Sequence, residues 1–171
     1  MEDFEDWYRE LRPPMQVALA TWCGDAPLAS DALDEAFVRA LERWSRVRDL
    51  DSPAGWVWRT ATNQVRRLTR RRAHEQRLLA SVSAGAHRAV ESTGDDLDLR
   101  RAIASLSDRQ RAAVVLYYLA DLSVRDVAAA MGVATGTVDA TLHHARARLH
   151  GLLAEPAAAP APTPSTEGGR R

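Results

Sequence analysis

The sequence contains no lysine, so all 23 of its basic residues are arginines. Without lysine there can be no complete phosphate-binding P-loop, no Schiff-base lysine and no lysine general base. The single cysteine, Cys23, excludes an internal disulfide framework and is typical of a reducing compartment. No apolar run approaches the roughly 20 residues of a membrane span, and the acidic N-terminus lacks the hydrophobic core of a signal peptide. We therefore expect a cytoplasmic protein without a membrane span.

Charge is distributed unevenly along a chain whose formal net charge is zero. Residues 1–51 carry 6 arginines and 12 acidic residues, whereas residues 52–90 carry 8 arginines and 1 acidic residue. Residues 91–155 are slightly acidic again, with 7 arginines against 9 acidic side chains. The basic middle indicates an acidic polymer as partner, and the acidic N-terminal part indicates a different partner.

The N-terminal part has helical periodicity and lacks the alternating runs typical of strands. A short first helix is predicted to end at Pro13 and Pro14, and a second helix then runs to Cys23, where Gly24 supplies the C-terminal cap. A third helix is predicted to begin after Ser30 or Asp31. The inner face of that helix is formed by Leu33, Phe37, Ala40, Leu41 and Trp44.

A strong start signal, Ser52 followed by Pro53, predicts a fourth helix over residues 53–72, with room for an extension to residue 80. Its inner face carries Val57, Ala61, Val65 and Leu68. Its outer face carries Trp56, Arg59, Asn63, Arg66, Arg67 and Arg70. Guanidinium groups neutralise phosphates and stack on bases, and an exposed indole is a stacking platform for single strands. One interpretation is a solvated charged face with Trp56 turned into the core; the concentration of positive charge favours a nucleic-acid surface.

Periodicity weakens over residues 76–98, which we interpret as a flexible linker, and residues 155–171 have the composition of a disordered tail. Residues 99–154 form a second helical unit with capping patterns at Ser107 and Ser123 and a tight turn at Gly132. This arrangement is typical of a helix-turn-helix that reads the major groove, and an ordinary helical hairpin is the alternative. His143 and His144 are adjacent and have no cysteine partner, so no metal site is predicted.

Together the two halves resemble the small extracytoplasmic-function sigma subunits of bacterial RNA polymerase, which keep only conserved regions two and four. SDALDEAFVRALERW resembles the region-two helix that docks on the polymerase core. SPAGWVWRTATNQVRRLTRRR resembles the segment that melts and reads the minus-ten promoter element, and Trp56, Arg59, Ala61 and Asn63 stand at family positions. LSDRQRAAVVLYYLADLSVRDVAAAMGVATGTVDATLHHARARL resembles region four, which reads the minus-thirty-five element.

The resemblance implies an all-α fold of two small helical domains, region two over residues 1–75 and region four over residues 99–154. It implies no catalysis, no cofactor, and residence on the RNA polymerase core through its β′ subunit, with promoter DNA and an anti-sigma factor as further partners. Core-binding residues are then Asp34, Glu35, Arg39 and Glu42. Minus-ten DNA-binding residues are Trp56, Arg59, Asn63, Arg66, Arg67 and Arg70. The loop over residues 45–52 is where the family captures a flipped-out base.

This chain departs from the family pattern in the recognition helix, where TVDATLHHARARL stands against a pattern close to TVKSRLHRARARL. The helix-turn-helix candidates for DNA contact are Thr137, Ala140, Thr141, His143, His144, Arg146 and Arg148. Asp139 replaces a lysine and is repelled by phosphate, so weak or unusual upstream recognition is expected. The alternative is a sigma-like regulator whose region four binds a protein partner instead of DNA. A dimeric helix-turn-helix repressor is a third hypothesis, although the sequence shows no separate dimerisation segment.

Overall fold

The computed structural model describes residues 2–79 and 94–154, and the regular secondary structure of these ranges is entirely helical. The N-terminal half consists of α1 (Glu2–Cys23), α2 (Ala26–Glu42), α3 (Trp44–Val47) and α4 (Pro53–Leu79). The C-terminal half consists of α5 (Gly94–Ala104), α6 (Asp108–Val114), α7 (Val124–Met131) and α8 (Thr135–Ala154). The predicted all-α fold is confirmed. No helix in the described ranges has the length and apolar character that crossing a membrane requires.

The predicted linker is helical at both of its ends. Helix α4 continues beyond residue 75 to Leu79, and α5 already begins at Gly94. An ion pair between Arg71 and Glu75, with nitrogen and oxygen 2.8 Å apart, joins successive turns of α4 where the predicted helix was expected to end. Residues 80–93 of the predicted linker and the predicted tail, residues 155–171, lie outside the described residues.

Helix α1 is continuous, and the predicted break at Pro13 and Pro14 is wrong. The two prolines remove the N–H groups that would bond one turn back, a defect that costs about 3 kcal/mol in a helix interior. Buried residues before and after the prolines, Leu11 and Met15, nevertheless belong to the same hydrophobic core. Packing of one uninterrupted apolar face therefore keeps the two predicted segments in line.

Helix α2 begins at Ala26, earlier than predicted. Asp25 is its N-cap, and the Asp25 carboxylate accepts a hydrogen bond from the Leu28 N–H at 2.9 Å. Pro27 lies in the first turn, where a missing N–H costs nothing. Gly24 ends α1 in the left-handed conformation, with φ of 73°, as predicted.

The C-terminal half has the predicted helix-turn-helix geometry. Ser107 and Gln110 form a capping box at the start of α6, which continues as a π-helical turn over Val115–Leu119. Ser123 caps α7, and Gly132 ends it in the left-handed region at φ 66° and ψ 40°. Val138 and Leu142 of α8 are buried against this framework.

Replacement of Gly132 by alanine tests the turn. We expect Gly132→Ala to lower the free energy of unfolding by about 1–2 kcal/mol because a Cβ is disfavoured at positive φ. Steric crowding plays no part, since a Cβ there would meet nothing within 4 Å. Equilibrium urea denaturation measures the change. The control, Gly136→Ala, adds the same methyl group in open space within α8 and should be neutral or stabilising by up to about 1 kcal/mol.

The two helical halves pack against each other. The sequence had predicted only that a flexible linker joins them. Helix α4 contacts α7, and α1 contacts α5, α6 and the π-helical turn. The buried residues of both halves form one connected hydrophobic cluster. The T-shaped pair of Trp22 and Trp58, with ring centroids 5.9 Å apart, lies next to this contact.

Candidate functional site

The N-terminus of α4 is fixed by a buried cap. The Ser52 hydroxyl accepts a hydrogen bond from the Gly55 N–H at 3.0 Å, and Ser52 is only 6% exposed. Val57, Ala61 and Val65 are buried, as predicted for the inner face. This packing fixes which side chains of α4 face outward.

The outer face of α4 is a row of exposed polar side chains. Its exposed members are Arg59, Asn63, Arg66, Arg67 and Arg70. The sequence left open whether Trp56 is exposed or turned into the core. The structure shows an intermediate position: the indole packs against the core but stays half-buried. The guanidinium of Arg66 lies over the Trp22 ring, 5.5 Å from its centroid, in cation–π geometry.

Two further arginines of α4 are engaged elsewhere. Arg71 pairs with Glu75 at 2.8 Å, and Arg72 pairs with Asp25 across to the α2 cap at 3.1 Å. The Glu75 hydrogen bond raises the pKa of the Arg71 guanidinium. Within residues 2–79 and 94–154, these two arginines therefore differ from Arg66 and Arg70 in having acidic partners of their own.

An open cleft of about 520 Å³ lies between α2 and α4. It is lined by Arg39, Glu42, Arg43, Trp56, Thr60, Asn63, Gln64 and Arg67. Residues predicted for core binding and residues predicted for minus-ten DNA thus share one surface. A half-buried indole, an amide and several guanidinium groups in one cleft suit stacking on a base and contact with its phosphate.

The predicted acidic face of α2 is partly neutralised within the molecule. The Arg12 guanidinium donates to Asp34 at 2.7 Å, and Arg39 pairs with Glu35 at 2.8 Å. The Asp34 hydrogen bond raises the pKa of Arg12 against the opposing effect of burial. The sequence did not predict the pairing of Arg12 with Asp34, because Arg12 lies on α1 and is far from Asp34 along the chain.

Beside Asp34 lies an apolar groove of about 410 Å³ formed by α1 and α2. Its lining includes Phe4, Tyr8 and Phe37, with Val38 53% exposed and Leu41 47% exposed. The prediction that Leu41 faces the core is wrong, because the helix turns that position outward beside Val38. Asp34, Val38 and Leu41 stand at positions i, i+4 and i+7, which share one face of a helix. This spacing in the sequence could have shown that the three residues form one stripe.

The loop between α2 and α4 contains the short helix α3 and borders a hollow of about 340 Å³. Trp7, Trp44, Arg48 and Asp49 line the hollow together with Asp3 and Pro53. The indole N–H of Trp44 is buried and meets no acceptor in the part of the chain that is described. A buried donor without a partner is uncommon, and it costs free energy unless the side chain moves to meet an acceptor.

Helix α8 presents the predicted recognition residues on its solvent face. Ala140, His143, His144, Arg146 and Arg148 are exposed, and Thr137 and Thr141 are half-buried. The Thr141 hydroxyl donates to the Thr137 carbonyl at 2.7 Å, so its proton is already used. Asp139 is also exposed on this helix and adds a negative charge near the face that would meet phosphate.

The other reactive groups in the described part of the chain are not arranged for catalysis or metal binding. Cys23 is half-buried, its Sγ donates to the Asp25 carbonyl at 3.3 Å, and burial raises the pKa of the thiol. A raised pKa keeps the thiol protonated and unreactive. Among the described residues, no three histidine, cysteine or acidic side chains are grouped closely enough to hold a metal ion.

Comparisons with known proteins match both halves. Residues 7–75 match Sigma-70 region 2, and residues 96–149 match Sigma-70, region 4. The RNA polymerase sigma-E factor of Streptomyces avermitilis is 29% identical over 148 residues, covering 86% of this chain and 83% of that protein. The RNA polymerase sigma-E factor of Streptomyces antibioticus is 32% identical over 122 residues, covering 71% of this chain and 68% of that protein.

The fold agrees with a solved relative. The sigma factor RpoE of Bartonella quintana, solved in complex with the anti-sigma factor NepR, has a TM-score of 0.71 at 24% identity, over 90% of this chain and 98% of that chain. Both matched regions occur here in the family's order, on the helices that carry the cleft and the helix-turn-helix. The chain belongs to the extracytoplasmic-function family of RNA polymerase sigma factors, the non-catalytic subunits that direct promoter-specific initiation of transcription.

Proposed function

We propose that the outer face of α2 docks on the β′ subunit of the polymerase core while the α2–α4 cleft holds the unpaired minus-ten strand. The observation that carries this proposal is the cleft itself, which joins Arg39 and Glu42 to Trp56, Asn63 and Arg67 on one open surface. A sigma factor works at the junction of polymerase and DNA, so neighbouring sites suit that task. Promoter DNA and polymerase are cytoplasmic, which supports a cytoplasmic location.

Docking on the core uses apolar contacts as well as charge. Val38 and Leu41 expose apolar surface next to the Arg12–Asp34 pair. Because Asp34 and Glu35 already have arginine partners, their net attraction for a basic surface is reduced. We therefore assign most of the binding energy to the Val38–Leu41 stripe, since buried apolar contacts dominate the centres of interfaces.

The strand is held by the guanidinium groups and the Trp56 indole. Stacking on an aromatic side chain contributes about 1–3 kcal/mol per base. The hollow beside α3 is a second candidate base site: Trp7 and Trp44, packed against each other with ring centroids 4.8 Å apart, line it together with Arg48 and Asp49. Extrusion of a base costs a few kcal/mol, and such a pocket offsets that cost.

Salt dependence tests which arginines contact phosphate. We expect the double variant Arg66→Ala/Arg70→Ala to flatten the slope of log affinity against log salt by about 0.7–0.9 for each phosphate that is no longer neutralised. The matched control, Arg71→Ala/Arg72→Ala, removes the same charge from the same helix. Because Arg71 and Arg72 pair with Glu75 and Asp25, the control slope should stay near that of the wild type. Equal slopes for both double variants would contradict the assignment.

The helix-turn-helix has two candidate roles. Exposed arginines and histidines on α8 support contact with the minus-thirty-five element. A second role, binding of a protein partner such as an anti-sigma factor in place of DNA, is favoured by Asp139, by Ala140 and by the occupied Thr141 hydroxyl. The solved complex of RpoE with NepR supports an anti-sigma factor as a partner in general.

The variant Asp139→Lys/Thr141→Arg separates these roles. If region four does not read DNA, this variant should create affinity for an upstream duplex that the wild-type chain lacks, measurable by fluorescence anisotropy. If region four reads DNA, the wild-type chain already discriminates between promoters with and without the upstream element. The wild-type measurement therefore serves as the reference for both candidates.

Transcription in vitro tests the proposal as a whole. Purified core polymerase and this chain are mixed with a promoter found by sequencing transcripts made in the presence of the chain. We expect initiation that depends on the chain and a complex with core at micromolar protein or below. Absence of core binding at that concentration would overturn the docking proposal.

A further inference from the structure

A second cleft, of about 500 Å³, is formed by side chains of α4, of α6 and of the end of α7. We call it the α4–α6 cleft. Small-molecule sites are concave, have volumes of about 300–1,000 Å³, and occur preferentially where two domains meet. The apolar part of the lining consists of Trp22, Trp58, Ala112, Ala130, Met131 and Val133. The α4–α6 cleft therefore has the size and the apolar surface of a small-molecule site.

Three guanidinium groups line the α4–α6 cleft. They belong to Arg59, Arg66 and Arg109, and within the described ranges none of the three forms an ion pair. By contrast, Arg71 and Arg72 each pair with a carboxylate. Guanidinium groups bind phosphate through parallel hydrogen bonds. Positive charge that is not neutralised by the chain, and that converges on one concavity, therefore favours an anionic ligand.

Arg66 is held in position before any ligand arrives. Its guanidinium lies over the Trp22 ring at 5.5 Å from the centroid. Trp22 is in turn fixed by an edge contact with Trp58, whose ring centroid lies 5.9 Å away. Both indoles are buried, with 8% and 3% exposure. A side chain that is already ordered loses less conformational entropy on binding, so this stacking favours capture of a phosphate.

The α4–α6 cleft also carries hydrogen-bond acceptors, which a simple phosphate site does not need. Asp108 lines the cleft next to Arg109, and Asn63 contributes an amide. A carboxylate repels an inorganic anion but accepts hydrogen bonds from the N–H groups of a nucleobase. Guanine offers two neighbouring donors of this kind, its ring N–H and its exocyclic amine. The lining thus suits a ligand with phosphates at one end and an aromatic base at the other.

We propose that the α4–α6 cleft binds a guanine nucleotide with several phosphates. The phosphates contact the three guanidinium groups, and the base lies against the apolar lining, where Asp108 accepts its N–H groups. The consequence rests on the proposed function, because Arg59, Asn63 and Arg66 are also assigned to the minus-ten strand. A bound nucleotide occupies these side chains and therefore inhibits binding of the strand.

Isothermal titration calorimetry of the full-length chain with GTP measures the site directly. The buffer contains no divalent metal, so that only side chains of the chain offset the phosphate charge. We expect a Kd in the micromolar range for GTP and binding at least about tenfold weaker for both guanosine and inorganic tripolyphosphate. Equal affinity for GTP and tripolyphosphate, or no GTP binding up to millimolar concentration, overturns the proposal.

Arg109→Ala removes one phosphate contact without touching a residue assigned to DNA. Arg109 is exposed, so the variant should fold, which circular dichroism checks. We expect its affinity for GTP to fall at least about tenfold, the loss typical of a hydrogen bond between charged groups. The matched control is Arg101→Ala on α5, because Arg101 pairs with Asp98 and does not line the cleft. Equal losses in both variants overturn the proposal.

Asp108→Asn tests recognition of the base. An amide keeps one acceptor oxygen but cannot accept from both guanine donors at once. The wild-type chain should prefer GTP over ATP by about tenfold, and the variant should bind the two nucleotides with similar affinity. A wild-type chain without this preference overturns the assignment of guanine to the cleft.

Promoter binding with core polymerase tests the consequence. The ligand is α,β-methylene-GTP, whose methylene bridge prevents incorporation by the polymerase. It should inhibit promoter binding with the wild-type chain and have little effect with Arg109→Ala, which also controls for nucleotide bound to the polymerase. Equal inhibition of both chains overturns competition at the cleft. A wild-type chain that never binds promoter with core overturns the proposed function instead, and calorimetry then decides the nucleotide site alone.

Discussion

Val38→Arg should weaken binding of this sigma factor to core polymerase about 30- to 150-fold, the loss of about 2–3 kcal/mol expected at an interface hot spot. Val38 is 53% exposed beside Leu41 at the edge of the α1–α2 groove. A guanidinium at this position would be desolvated on docking and would leave a buried charge without a partner in an apolar contact. Because the side chain is exposed in the free chain, folding should be unaffected.

The control is Val17→Arg, which makes the same chemical change at an equally exposed valine, 54%, on α1. Val17 does not line the groove. Surface plasmon resonance with immobilised core polymerase compares the two variants with the wild-type chain. Equal losses for both variants, or none for Val38→Arg, would move the docking surface away from α2.

Trp56→Ala should reduce the yield of open promoter complexes about 10- to 100-fold, while the first binding of closed duplex changes little. Loss of one stacking platform costs about 1–3 kcal/mol per base, and that contribution exists only when the strand is unpaired. Potassium permanganate footprinting reports unpaired thymines, and a mobility shift at low temperature reports the closed complex. The defect should appear in the first measurement and not in the second.

The control for this variant is Trp56→Tyr, which keeps an aromatic face in the α2–α4 cleft and should restore most of the opening. Trp56 is half-buried against the core, so Trp56→Ala also needs a folding check by thermal denaturation. A stable Trp56→Ala variant that opens promoters at the wild-type level would rule out stacking at this position.

Local sequence patterns predicted most of the helices because caps and periodicity act within one or two turns. Ser52, Ser107 and Ser123 all begin helices as predicted, and Gly24 and Gly132 both end them. Predictions were wrong where packing outweighed a local signal. The prolines of α1 did not break the helix, because residues on both sides of them pack into the same core.

Among the functional residues, too, local patterns predicted some features, whereas others depend on tertiary contacts. The outward face of α4 followed from its 3.6-residue period, and its guanidinium groups are exposed as predicted. Arg12 could not be found in that way, because its contact with Asp34 joins two helices. The exposure of Leu41 was also missed, since periodicity identifies an apolar stripe but does not say whether another helix covers it.

The sequence by itself determined the family, the helices and the charge segregation, because each of these depends on residue types at short spacing. Only the tertiary structure decided that the two halves lie against each other. That contact depends on the approach of Gly55 to Ala130 and on pairs such as Arg125 with Asp51. These residues are far apart in the chain, and the loss of chain entropy on bringing them together is offset only when the whole surface fits at once.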